Sequence, residues 1–337
     1  MKFRLAVATL DKRYAEHLSG LLSEKFADSF EVVVFTQPER LEAVLKTTSF
    51  DAALLDSDFL SVSNLSASRI LIVLTEENEQ VSAGTLDVKQ IRKYQRISSM
   101  ASDIMELLSE IPSGMSGISS GDRGNITVVW SPAGGTGKTT VALAYAINKV
   151  SSGKQALYLN LENFTSTTAY FRSDGKSISK AFESLDSGET NVRLLLKGMR
   201  QQDSITGIFY FNEPENIEDM NILSPDDVEA LALACAAEAD ELVVDLSSQY
   251  NACIGKFFDL ASRVFIVTDA SSTSQVKLRQ FIRQHNVFGR IRTKATLICN
   301  KGSQSSEADL GKRIYLTRVQ TSDPPAVARA LSMNVFD

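Results

Sequence analysis

Cysteine is scarce in this chain of 337 residues, and the three present, Cys235, Cys253 and Cys299, form no CxxC pair. Such spacing offers neither a disulfide framework nor a zinc cluster, and the thiols read as those of a reducing compartment. Histidine is scarcer still. His17 and His285 stand alone and supply no catalytic or metal-ligating group. No run of about 18 apolar residues occurs, and the opening MKFRLAVATLDKRY lacks the apolar core of a signal peptide. The chain is therefore expected to be cytoplasmic. Internal repeats and long low-complexity tracts are also missing. Cations are in the minority, 35 Lys and Arg against 41 Asp and Glu, for a net charge of −6. This balance argues against a surface given over as a whole to nucleic acid or acidic membrane.

What is present is an ordinary globular composition, 43% apolar and 23% charged, in a chain long enough for two domains. One seam stands out. The stretch PSGMSGISSGDRG replaces periodic apolar residues with glycine, serine and proline, which marks a flexible connector. The expected organisation is a domain over 1–111, a linker over 112–124 and a domain over 125–337. In the first, FRLAVAT, EVVVF, DAALLD and ILIVLT alternate with helical spacing, and ASDIMELLSEI closes the segment. Near-continuous apolar strands separated by helices predict an α/β fold with a parallel sheet covered on both faces. The second domain opens the same way, so two doubly wound parallel-sheet domains are expected.

The chemistry is concentrated in SPAGGTGKTT, which follows the strand NITVVW and precedes the helix TTVALAYAINKV. A phosphate-binding loop requires this strand–loop–helix context. Gly134, Gly135 and Gly137 let backbone N–H groups converge on phosphate oxygens. The helix start, with Thr136 and Thr140 beside it, adds the positive end of a dipole, and Lys138 adds a full charge. Thr139 can offer its hydroxyl to Mg²⁺. Pro132 stands where the GxxxxGK[ST] pattern has glycine; it removes one donor but leaves the glycines and the lysine. Downstream, the apolar strand ELVVD ends at Asp245, suited to orient Mg²⁺ through water or simply to close a strand. Asn300, ending TLIC, can read an adenine edge with its amide or stand as an ordinary loop asparagine.

SPAGGTGKTT resembles the deviant Walker A loop of the MinD/ParA family of dimerising ATPases, a likeness that spans roughly residues 124–335. The resemblance implies an ATP and Mg²⁺ site and a homodimer that meets across the nucleotides. It also implies that Asp323 and Pro324 lie near the base, though a plain turn explains them as well. Two departures bear on activity. A second lysine that precedes the glycine pair in those relatives is here Ala133, and the acidic pair after the second strand is here Asn160 and Glu162. Glu162 keeps a carboxylate that would orient the attacking water, and Lys138 remains the in-loop cation. The missing trans cation implies slow or negligible hydrolysis.

Residues 1–110 resemble a response-regulator receiver domain, a flavodoxin-like fold. Asp56 matches the phosphoacceptor, Thr75 the hydroxyl residue and Lys93 the phosphoryl-contacting lysine. Ala8 and Thr9 replace the acids that hold Mg²⁺, with Asp11 slightly further on, so the resemblance is to a pseudo-receiver. A receiver-like domain fused to such an ATPase is the architecture of the TadZ/CpaE-like proteins, which place the tight-adherence (Tad) pilus secretion machinery. That likeness implies Tad assembly proteins as partners and recruitment to a cell pole or to the inner-membrane face. The competing readings are a ParA-like DNA-partitioning ATPase and a phosphorylated signalling regulator. Lys277, Arg279, Arg283, Arg290, Arg292, Lys294 and Lys301 form an acid-free basic stretch that could grip a nucleic-acid backbone or serve as a solvated face. The acidic chain disfavours nucleic acid as partner. The C-terminal PPAVARALSMNVFD has Arg329 as its only cation, so no direct membrane anchor is expected.

Overall fold

The computed structural model describes residues 2–76, 86–111, 124–187, 191–302 and 311–336. The chain divides into two units, Met1–Ser113 and Gly114–Asp337. Most of the glycine- and serine-rich seam, residues 112–123, lies outside the described residues.

Unit 1 runs β1 (Phe3–Ala8), α1 (Lys12–Lys25), β2 (Phe30–Phe35), α2 (Pro38–Leu45), β3 (Phe50–Leu55), β4 (Ser68–Thr75), β5 (Val88–Arg92) and α3 (Ile97–Ser109). The closing helix thus begins four residues earlier than the apolar spacing suggests. The strands pair in the order β2-β1-β3-β4-β5, and every pair is parallel. β1 and β3 are buried along most of their length, as expected of strands sandwiched between helices. Between β3 and β4 the link is two 3-10 turns instead of a longer helix. Asn64, with φ of 64°, sits in the left-handed region and interrupts any helical run there.

Unit 2 begins with β6 (Asn125–Trp130), α4 (Lys138–Ser151), β7 (Ala156–Leu161), α5 (Ser179–Ser187), α6 (Val192–Met199), β8 (Gln201–Gln202) and β9 (Phe209–Tyr210). It continues through α7 (Glu218–Asn221), α8 (Pro225–Ala236), β10 (Glu241–Leu246), α9 (Ala252–Leu260), β11 (Arg263–Thr268), α10 (Ser272–Ile282), α11 (His285–Phe288), β12 (Ala295–Cys299), β13 (Lys312–Tyr315) and α12 (Pro324–Leu331). The strand order is β13-β12-β11-β6-β10-β7-β9-β8. All pairs are parallel save β8 with β9, and an antiparallel edge on a parallel sheet is a common ending. Two-residue strands carry too little periodicity to be read from sequence, so this hairpin is an addition to the expected parallel sheet.

Two apolar clusters cover the sheet of unit 2. One gathers Trp130, Phe182, Phe257 and Phe258 with α5, α6, α8 and α9. The other gathers the alanine-rich face of α4 with Tyr158, Phe265, Leu331 and Phe336. β6, the first strand of the unit, lies in the middle of the sheet between β10 and β11. Open α/β sheets hold ligands at the carboxyl ends of their strands where the strand order reverses, and that is the place to which β6 delivers its loop. Among the described residues, no helix is long and apolar enough to cross a membrane.

Candidate nucleotide site

The loop after β6 depends on two glycines in a conformation that other residues avoid. Gly135 has φ of 75° and Gly137 φ of 90°, where a side chain costs roughly 1–2 kcal/mol. Gly137 is also the N-cap of α4 and has no side chain to satisfy the first N–H groups of the helix. Those donors, with the positive end of the dipole, suit an anion. Lys138 is the first residue of α4, and its side chain is largely buried.

The carboxyl end of β12 clamps this loop. Asn300 Nδ2 donates to the carbonyl of Thr136 at 2.9 Å, and a Cβ on Gly137 would stand 2.5 Å from that same nitrogen. Gly137 is therefore required twice, by its φ and by the approach of Asn300. Lys301, itself at φ of 57°, donates to Gly135 O at 2.6 Å and pairs with Asp269 at 3.0 Å. Inside the loop, Ala133 N donates to Ser131 Oγ, and the Ala133 methyl is buried.

A single hydrogen-bonded chain joins the remaining polar residues. Lys138 Nζ lies 3.1 Å from Glu162 Oε1 and donates to Ser248 Oγ at 3.2 Å. Thr139 Oγ1 donates to Glu162 Oε2 at 3.1 Å. Glu162 N donates to Asn160 Oδ1, Asn160 Nδ2 to Tyr158 Oη, and Tyr158 Oη to Asp245 Oδ2, each at 2.8–2.9 Å. The parallel register sets Asp245 between Val129 of β6 and Asn160 of β7. Asp245 is fully buried. Burial, followed by the charge of Glu162, pushes its carboxyl up to about 7, with Thr139, Lys138 and Tyr158 opposing.

Lys138, Thr139, Glu162 and Asp245 thus come together in one network, and Asn300 comes onto the loop itself. Thr140 Oγ1 bonds to Tyr170 Oη at 3.0 Å. Asp323 N-caps α12, accepting from Ala326 N at 3.0 Å, with Pro324 in the first turn. Neither is hydrogen-bonded to the network, although α12 packs on α4. A pocket of about 110 Å³ lies beside them, lined by Leu143, Tyr170, Ile205, Pro325 and Arg329 among others. Tyr158, Tyr170 and Ser248 were not evident from the sequence. Only the strand-end position of Tyr158, two residues before Asn160, hints at its part.

The donor set fits a nucleotide phosphate and a divalent cation. Asp245 Oδ1 and Thr136 Oγ1 are buried with no hydrogen-bond partner, and such atoms need one. Among the described residues no group of three His, Cys, Asp or Glu side chains could hold a metal alone. Asp245 and Thr139 are oxygen donors of the kind that suit Mg²⁺, which is usually bound by one or two protein groups together with substrate phosphates.

Unit 1 has its own polar cluster where β1, β3, β4 and β5 end. Lys93 Nζ donates to Asp56 Oδ2 at 2.7 Å, and the Thr9 hydroxyl donates to the same oxygen. Asp56 Oδ1 is buried without a partner. The Lys93 ammonium lies over the Tyr14 ring at 5.0 Å, and Asp56 raises its pKa against the opposing effect of burial. Thr75 Oγ1 donates weakly to Ile91 O at 3.5 Å. Asp11 caps α1, accepting from Arg13 N and Tyr14 N.

The fold and the loop define an α/β protein of the P-loop fold class. Solved structures of that class resemble it. A ParA family ATPase from Chlorobium tepidum TLS is 16% identical with a TM-score of 0.51, over 62% of this chain and 91% of its own. A plasmid partition protein from Borrelia burgdorferi is 13% identical with a TM-score of 0.46, over 62% and 97%. Cobyrinic acid a,c-diamide synthase from Mycobacterium smegmatis, solved with an ATP analog and magnesium, is 12% identical with a TM-score of 0.43, over 60% and 77%. At 16% identity the likeness to the ParA family ATPase, the one of these three with a TM-score above 0.5, shows the fold alone. No protein-family model matches the chain, and no curated protein does.

Proposed function

We propose that the chain is an ATP-binding localisation and assembly switch of the TadZ/CpaE kind, serving a Tad-type pilus secretion system. Unit 2 dimerises with nucleotide at the interface and hydrolyses it weakly or not at all. The observation that carries the nucleotide reading is the clamped loop, with Lys138 at the start of α4 and the unpartnered Asp245 Oδ1 one strand away. The N–H groups of the loop and Lys138 would hold the phosphates, and Thr139 and Asp245 would hold Mg²⁺, the latter through water. ATP supplies a bound polyanion whose presence or loss the surrounding loops can register. Weak turnover follows from Ala133, whose buried methyl offers no charge to a neighbouring subunit's phosphates.

The pilus part of the reading rests on unit 1. The ParA family ATPase is matched over 91% of its length by only 62% of this chain, so this chain carries a further α/β unit. Its strand order β2-β1-β3-β4-β5 is that of flavodoxin-like folds. Asp56, Thr75 and Lys93 collect at one end of its sheet as in a receiver. Ala8 and Thr9 supply no carboxylate for Mg²⁺, and the Thr9 hydroxyl instead occupies Asp56. We read unit 1 as a pseudo-receiver that docks partners without being phosphorylated.

The ParA-like DNA-partitioning alternative draws on the basic stretch, but part of that stretch is engaged within the chain. Arg290 pairs with Asp259 and donates to Tyr250. Lys294 holds the carbonyls of Asp259 and Ala261, and Lys301 holds the phosphate loop. The deciding experiment is a pull-down of the full chain from its native cell beside a duplex-DNA retardation assay with and without ATP. Recovery of secretion-system proteins with no DNA shift supports the switch reading; ATP-dependent, salt-sensitive DNA binding with no such partners refutes it.

A further inference from the structure

Lys138 and Thr139 are the loop's cation and its hydroxyl, and one carboxylate already engages both. Glu162 Oε1 lies 3.1 Å from Lys138 Nζ, and Glu162 Oε2 accepts from Thr139 Oγ1 at 3.1 Å. The arrangement is built to last. The Glu162 backbone N–H is tied to Asn160 Oδ1, Asn160 is tied through Tyr158 to Asp245, and Ser248 steadies the far side of the ammonium. The side chains of Lys138 and Glu162 are only 7% and 18% exposed, so solvent screens the pair little. The carboxylate thus pairs through one oxygen with the ammonium that a phosphate would take, and accepts with the other from the hydroxyl that the phosphate's cation would take.

We propose that Glu162 is an internal competitor for this site: its carboxylate holds the two groups that a nucleotide phosphate and its cation must take, so a nucleotide binds by displacing it. This rests on the reading of the loop as a nucleotide site. It differs from a role for Glu162 in orienting water, because it acts on binding and needs no hydrolysis. The site is thereby set to a lower affinity than its loop could deliver, and Glu162 with the segment beyond β7 moves when the phosphate arrives. Ser248 sits on the same ammonium, and the next residue's carbonyl, Gln249 O, accepts from Trp130 Nε1 at 3.1 Å. The loop after β10 is thus the second segment to register the exchange.

The test is calorimetric affinity for ADP and for ATP, with and without Mg²⁺, on the full chain and its Glu162→Gln, Glu162→Asp and Lys138→Ala variants. Glu162→Gln removes the charge, whereas Glu162→Asp keeps it on a stem one methylene too short to reach both partners. A charge-assisted hydrogen bond of this kind corresponds to about tenfold in affinity after partial solvation. Expected are about tenfold tighter binding for Glu162→Gln, a smaller gain for Glu162→Asp, and loss of either gain when Lys138→Ala is combined with it. Emission from Trp130, the chain's single tryptophan, checks that each variant keeps its packing against Phe258 and Phe281. Tighter binding by Glu162→Gln with Glu162→Asp at the wild-type value would mean that charge alone matters, and would overturn contact competition. Unchanged or weaker binding by both would overturn it too. If wild type and Lys138→Ala bind nucleotide equally, or neither binds, the loop is not the site, and the nucleotide reading falls before the competitor does.

Discussion

Replacing Gly137 by alanine should destabilise unit 2 far more than the same change three residues earlier. At Gly137 the backbone has φ of 90°, which costs a residue with a Cβ about 1–2 kcal/mol. The new methyl would also meet Asn300 Nδ2 at 2.5 Å, so the amide must leave Thr136 O, a loss of about 1 kcal/mol. The two effects share one neighbourhood and sum to about 2–3 kcal/mol, or roughly 5–10 °C in the melting temperature of a unit this size. Gly134 is the control. A Cβ there meets nothing within 4 Å and its φ is not positive, so Gly134→Ala should stay within about 0.5 kcal/mol. The assay is thermal unfolding followed through Trp130, which lies in unit 2 and so isolates that unit. Equal melting temperatures for the two variants would refute the claim that Asn300 and the left-handed turn fix the loop.

The remaining predictions concern separate parts of the molecule. Tyr158→Phe should cost about 1–3 kcal/mol, because it removes a hydrogen-bond donor to the buried Asp245; denaturant unfolding would show it, and a neutral result would mean another donor takes its place. Acetyl phosphate should leave Asp56 unmodified by intact-mass analysis, since no carboxylate at Ala8 or Thr9 can seat Mg²⁺; a phosphorylated Asp56 would revive the signalling reading. Glu241 is buried, and desolvation pushes its carboxyl above the usual range despite hydrogen bonds from Thr127 and Tyr145. The fold therefore favours its protonated form, and the contribution to stability falls as pH rises through and above about 4.3. Glu241→Gln should flatten that slope in unfolding measurements between about pH 4 and 7; an unchanged slope would assign it to other groups.

The glycine-rich loop and the elements that flank it were legible because their signal is local. Strand, glycines, lysine and helix are contiguous, and β6 and β7 occupy the residues that their apolar runs mark, Asn125–Trp130 and Ala156–Leu161. Asp245 was legible for the same reason, as an acid at the end of an apolar strand. The parts that hold the site in shape were not. From sequence Asn300 is either a reader of an adenine edge or an ordinary loop asparagine, and neither alternative contains the grip of its amide on Thr136 across 164 residues. Tyr158 and Ser248 join the network only because β10 pairs with β6 and β7 in one register, and a single sequence contains no register. In unit 1, β1 to β4 announced themselves by continuous apolar runs, whereas β5, VKQIR with one buried residue, has no such run, and the turn structure between β3 and β4 depends on one left-handed asparagine.

The central place of β6 also sets a timetable. This first strand of its unit is locked by groups that are synthesised long afterwards: Thr127 bonds to Glu241, 114 residues on, and Ile126 to Ser262, 136 residues on. The helix that begins at Lys138 is held near its far end by Asn148, which donates to Ser332, 184 residues later. At about 5–20 residues per second, the ribosome needs roughly 10 to 35 seconds to deliver that last partner. For this interval the alanine-rich face of α4 lacks its lid of Leu331 and Phe336. The nascent unit should therefore lean on chaperones until its final helix emerges, and should refold slowly in their absence, as chains rich in distant pairings do.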